Sequence, residues 1–241
     1  MTGSIDLVVL DLAGTTVRDD GLVEQAFARA DAETGVRGDA SWDDALDYVR
    51  RTMGQSKIDV FTHLAGGDTA LAERATAAFE AAFDDLVAAG AVTEIPGAGQ
   101  AIAALRGAGC AVVFTTGFSP ATRDAILARL GWEGAVDAAL SPTDAGRGRP
   151  APDLVWAAAL RTGAESAARI AVVGDTASDV ASGLRAGAGL VVGVLTGAHD
   201  REVLEAAGAH LVLNDVTELP AAIARFAEAS GVARTAADVP A

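Results

Sequence analysis

Short, uninterrupted apolar runs recur along the chain and are separated by segments in which apolar residues return every three or four positions. Leu7–Leu10, Ala111–Phe114, Ile170–Val173 and Leu190–Val194 have no polar residue on either face, the pattern of strands buried on both sides in a parallel sheet. Val136–Leu140 and Leu211–Leu213 are weaker runs of the same kind. Between them, Ala98–Ala108, Pro120–Leu130, Asp153–Arg161 and Ala177–Ala186 carry helical periodicity. Alternation of this sort predicts a doubly wound α/β fold. One stretch breaks it. From Asp20 to Thr93 only helical patterns occur, among them Leu22–Thr34, Ser41–Thr52 and Leu71–Ala89, and Pro96-Gly97 then marks the return to strands. The expected organisation is a core from residues 1–19 and 94–241 with a helical insert at 20–93. The small, polar residues 229–241 are expected to fray.

Composition narrows the possibilities. Hydrophobic residues make up 51% of the 241 but aromatics only 5%, so the core must be built from Ala, Val and Leu. A net charge of −15 excludes nucleic acid or an anionic membrane as a partner, since both need a basic footprint. Any anion site must therefore be assembled locally. Cys110 is the only cysteine, which rules out an internal disulfide, and its apolar neighbours suggest a packing thiol. Without a basic leader or a long apolar run, the chain is expected to be soluble and cytoplasmic.

Sites in open α/β sheets form beyond the carboxyl ends of the strands. The first strand is followed by Asp11-Leu12-Ala13-Gly14-Thr15-Thr16 and the second by Thr115-Thr116-Gly117. The strand at Ile170–Val173 leads into Gly174-Asp175-Thr176-Ala177-Ser178-Asp179, and Gly148-Arg149-Pro150 lies between. Each type has a chemical use. A carboxylate can attack phosphorus and split one hard displacement into two easier ones. Two anions then meet, which calls for a hard cation on oxygen ligands. A hydroxyl and a guanidinium can stabilise the phosphoryl oxygens.

This order of motifs resembles the haloacid dehalogenase superfamily of hydrolases, with a Rossmann-like core, parallel sheet and inserted α-helical cap. The resemblance implies Asp11 as covalent nucleophile, Thr116 and Arg149 as catalytic phosphoryl contacts, and Mg²⁺ held by Asp11, the Ala13 carbonyl, Asp175 and Asp179. Phosphatases of the superfamily carry an acid two residues after the nucleophile, where this chain has Ala13. The first loop instead resembles the phosphonoacetaldehyde hydrolase branch, in which a cap lysine forms an imine with the substrate aldehyde. The segment Met53-Gly54-Gln55-Ser56-Lys57 matches that branch and puts Lys57 at the imine-forming position. Lys57 is the only lysine in the chain. Thr15, Gly117, Met53 and Phe118 complete the implied substrate contacts.

Three departures accompany the match. Val60 stands where the branch has His, Phe118 where it has Tyr, and Leu22 near where it has Cys. His63 could supply the missing imidazole or point elsewhere. The resulting expectation is cleavage of a carbon–phosphorus bond in a small carbonyl phosphonate. The alternative is an Mg²⁺-dependent phosphomonoesterase, for which Lys57 only binds substrate. Relatives in this branch suggest a homodimer through the cap, and the Ala-rich face of Leu71–Ala89 could serve it, or could equally be a bundle core.

Overall fold

The computed structural model describes residues 4–229; the expected frayed tail, beyond Ala229, lies outside them. Six strands, β1 (Leu7–Asp11), β2 (Ala111–Thr115), β3 (Ala138–Leu140), β4 (Ile170–Gly174), β5 (Leu190–Val194) and β6 (Leu211–Leu213), form one parallel sheet. Their order is β3-β2-β1-β4-β5-β6. β1, β4 and β5 are buried at every position, as their unbroken apolar runs require, while the edge strands β3 and β6 are partly exposed.

Helices α1 (Leu22–Thr34), α2 (Trp42–Arg51), α3 (Lys57–Leu64) and α4 (Thr69–Ala88) fill the interval between β1 and β2. The remaining helices alternate with the strands: α5 (Ala98–Gly107), α6 (Pro120–Leu130), α7 (Asp153–Thr162), α8 (Ala177–Ala186), α9 (Arg201–Ala206) and α10 (Leu219–Ala229). Local chemistry sets several boundaries. Asp68 accepts a hydrogen bond from the Leu71 N–H, which starts α4 two residues earlier than its apolar periodicity suggests. α6 begins on Ser119 with Pro120 in its first turn and ends on left-handed Gly131. β3 keeps only the last three residues of the weak run at 136–140, because only those pair with β2.

Ala72, Ala75, Phe79, Ala82, Phe83 and Leu86 are the buried stripe of α4, spaced three and four apart. α1, α3 and α6 cover that helix within the same chain. The Ala-rich face considered for dimerisation is therefore occupied internally, and the small side chains let the helices approach closely. Each buried phenyl group there contributes about 1.5–3 kcal/mol of transfer free energy. The two chain crossings between the sheet and the four-helix block lie side by side. Arg18 N–H donates to the Thr93 carbonyl at 2.9 Å, and Ile95 N–H to the Thr16 carbonyl at 2.9 Å. Among the described residues, no helix is long and apolar enough to cross a membrane. Cys110 is buried, with its thiol against the Ile5 carbonyl.

Candidate active site

The sheet order makes a switch point at β1, whose neighbours β2 and β4 are reached by connections leading away in opposite directions. Register then levels the chemistry. Asp11 pairs with Thr115, and Leu10 with Val173, so Asp11, Thr116 and Asp175 leave the sheet at nearly the same height. A small cavity lies above them, lined among others by Asp11, Ala13, Thr116, Arg149 and Asp175. Asp19, just ahead of the helical block, and Val23, Met53 and Lys57 within it complete the lining.

The floor is a carboxylate cluster. Oxygens of Asp11, Asp175 and Asp179 lie within 4.8 Å of one another, and all three residues are buried. Arg149 Nη1 bridges Asp11 Oδ1, at 2.6 Å, and Asp179 Oδ1. Asp179 also accepts from the Thr176 N–H and hydroxyl, as part of the box that caps α8. It sits beneath the cavity and does not line it. Asp175 is fixed by the Ala198 N–H at 2.8 Å and the Thr15 hydroxyl at 3.0 Å. Thr15, expected among the substrate contacts, is thus fully buried beside a carboxylate and does not reach the cavity.

Burial pushes Asp11 well above the ordinary carboxylate range, against the pull of Arg149 and with the help of Asp179 and Asp175. Asp175 is raised to about 7 by burial and by Asp179, with its hydrogen bonds from Ala198 and Thr15 opposing. Three carboxylates face one buried guanidinium, so the cluster lacks positive charge. An all-oxygen donor set with that deficit fits a hard divalent cation. The same Arg149 leaves Nε and Nη2 buried without a partner. Unsatisfied guanidinium donors are costly, and a bound oxyanion would satisfy them. The Thr116 hydroxyl accepts from the Phe118 N–H at 3.2 Å, which leaves its own hydrogen free to donate to such an anion.

The roof is different in kind. Lys57 opens α3, and part of the residue reaches solvent while its amine end is enclosed. Its Nζ stands 5.4 Å from the Phe79 ring centre and 5.2 Å from that of Phe118. Burial is the largest influence and brings its pKa down to about 8; Arg149 lowers it further, whereas Asp19 and Asp11 act the other way. Gly117 permits this approach, because a Cβ there would overlap the Gln55 carbonyl oxygen in the loop that leads into α3. Gly54 in that loop has φ +80° and lies against Thr176. Met53 and Phe118 line the cavity and are almost fully buried.

Val60 is buried on the apolar side of α3. His63 does not replace the missing imidazole: it is exposed, with its ring stacked on Tyr48 at 4.0 Å. Asp19, Val23 and Ala198 line the cavity and escaped the sequence reading. Asp19 is the last residue of the expected core segment and gives no motif signal. Ala198 follows β5, a strand end to which the carboxyl-end rule applied equally and would have pointed.

A family model for haloacid dehalogenase-like hydrolases matches residues 5–187. The chain belongs to the haloacid dehalogenase-like hydrolases. Among curated relatives of this hydrolase, a phosphonoacetaldehyde hydrolase of Syntrophobacter fumaroxidans is 31% identical over 95% of this chain and 86% of its own. A second, from Parabacteroides distasonis, is 30% identical over 56% of this chain, and the match spans only 60% of that relative. A solved phosphonoacetaldehyde hydrolase-like protein of Oleispira antarctica superimposes with a TM-score of 0.80 and covers 97% of each chain; at 24% identity it speaks for the fold alone.

Proposed function

We propose that this hydrolase cleaves the carbon–phosphorus bond of phosphonoacetaldehyde or a close carbonyl phosphonate, with Asp11 as nucleophile and Lys57 as imine-forming amine. The observation that carries the reading is the desolvated Lys57 amine, enclosed by Phe79 and Phe118 in the same cavity as Asp11 and Arg149. An amine whose pKa is near 8 is partly neutral at physiological pH and able to attack a carbonyl. The resulting protonated imine accepts the electron pair of the breaking C–P bond, so no alkoxide leaves and no acid is needed at Ala13. The Syntrophobacter relative supports the same substrate.

In this reading the phosphonyl group lies between Asp11 and the free donors of Arg149 and Thr116. Asp11 takes the phosphoryl group as an acyl phosphate, and water then releases phosphate. Mg²⁺, held by Asp11, Asp175 and the Ala13 carbonyl with Asp179 supporting, would supply the positive charge that lets two anions meet. Thr15 serves by orienting Asp175. The four-helix block of residues 20–93 acts as a cap, and closing it excludes water from the imine.

The test is Mg²⁺-dependent phosphate release from phosphonoacetaldehyde by the wild type and by Lys57→Ala. Release that disappears in the variant is expected. Hydrolysis of phosphate monoesters instead, with Lys57→Ala still active, would establish the phosphomonoesterase alternative.

A further inference from the structure

We infer that Asp19 is the acid–base partner of Lys57, moving the protons that imine formation requires; the inference rests on the imine reading above. Forming an imine requires proton traffic that an amine alone cannot manage. The ammonium must lose a proton before attack, and the carbinolamine oxygen must gain one to leave as water. The described residues that line the cavity include no histidine, and its carboxylates other than Asp19 belong to the cluster on the floor. Asp19 lines the cavity from the Lys57 side, half-buried at the start of α1.

Its surroundings hold it for this role. The Val23 N–H donates to Asp19 Oδ1 at 3.0 Å, and the Leu22 N–H to its carbonyl at 2.7 Å, so the carboxyl is fixed at the end of a helix. The Val23 hydrogen bond engages Oδ1 and not Oδ2. Three charged groups bear on it: Lys57, Glu24 and Asp20. Glu24 is already paired with Arg50, Nε to Oε1 at 2.7 Å, and Asp20 is exposed, which leaves Lys57 as the cation that Asp19 serves. Among the described residues Lys57 has no carboxylate within ion-pair distance. Lys57 and Asp19 line the same cavity. Burial raises the Asp19 pKa, against the Val23 hydrogen bond and Lys57, which makes it a better proton acceptor than an exposed aspartate.

The steps balance. Asp19 carboxylate takes one proton from the Lys57 ammonium through an intervening water, since the two groups are not in direct contact. The neutral amine forms the C–N bond to the aldehyde carbon, and a proton passes from nitrogen to oxygen to give the carbinolamine. Asp19 carboxyl then protonates that hydroxyl, the C–O bond breaks, water leaves, and nitrogen keeps one hydrogen as the iminium. Asp19 ends as the carboxylate it began as.

The experiment is borohydride trapping of phosphonoacetaldehyde on the full-length enzyme, followed by mass spectrometry. With one lysine in the chain, the adduct on its peptide identifies the imine without ambiguity. Asp19→Asn keeps an acceptor for the Val23 N–H but does not titrate, and Asp19→Ser does the same with a shorter side chain. Single-turnover imine formation should fall by about 10²-fold or more at its high-pH plateau in both, and Asp19→Glu should recover at least about a tenth of it. An unchanged plateau with only the Lys57 limb displaced to lower pH would reduce Asp19 to an electrostatic neighbour and overturn the inference. An unchanged profile would overturn it too. No adduct on the wild type would instead refute the imine reading itself.

Discussion

The floor and the roof of the cavity respond to the same physical force in opposite ways. On the floor, burial of Asp11 and Asp175 raises their pKa values and leaves three carboxylates short of positive charge. On the roof, burial lowers the pKa of Lys57 and favours the neutral amine. Desolvation always penalises the charged form, so it favours the protonated acids on the floor and the neutral amine on the roof. The floor is a hydrogen-bonded network through Arg149, Thr15, Thr176 and Ala198, whereas the roof is one amine against two phenyl rings. A substrate with an anionic end and a carbonyl end matches that polarity.

The comparison can be broken at each pole. Asp11→Asn removes the nucleophile and should cost about 10⁴-fold or more in phosphate release, read by steady-state kinetics. Its melting temperature should change little, because burial already favours the neutral form of Asp11 and the amide oxygen can still accept from Arg149. Lys57→Arg retains a cation but cannot form an imine; phosphonate cleavage should drop by about 10³-fold or more. Retention of most activity in that variant would remove the reason for distinguishing the two poles. Ala13→Asp adds a general acid to the floor and should raise hydrolysis of simple phosphate esters by about 10²-fold or more while leaving the roof intact.

Two smaller effects concern pH. For the floor, the folded protein holds a proton on Asp175 that the unfolded chain has shed, so metal-free stability falls as pH rises from about 4 to about 7, and the raised pKa of Asp11 acts in the same direction. Added Mg²⁺ should therefore raise the melting temperature by several degrees at pH 8 and by less at pH 6. An equal gain at both would mean that the cation does not replace those protons. For the roof, activity should climb as pH passes through about 8, where Lys57 loses its proton. Phe118→Ser, which admits water beside the amine, should move that limb upward by about one unit.

Much of this was legible before the fold was known. The four unbroken apolar runs became β1, β2, β4 and β5, because burial on both faces leaves a mark that needs no knowledge of neighbours. Asp11, Thr116, Arg149 and Asp175 could be picked out because each follows a strand or joins a glycine turn. α3, α9 and α10 were not delimited; the eight residues of α3 and the six of α9 give a weak period. Thr15 sat in the right loop, but its rotamer turned it towards Asp175 and away from the cavity.

The sequence by itself determined the succession of strands along the chain, the helical character of the stretch between the first two and the chemical types at the strand ends, since these depend on residues adjacent along the chain. Only the tertiary structure decided that Phe79 and Phe118 enclose Lys57, that His63 faces outward, and that Asp19 and Ala198 reach the cavity. Those are contacts between segments far apart in sequence. The direction in which a buried group titrates is set by such neighbours and by the water they exclude, neither of which is written in any local stretch of residues.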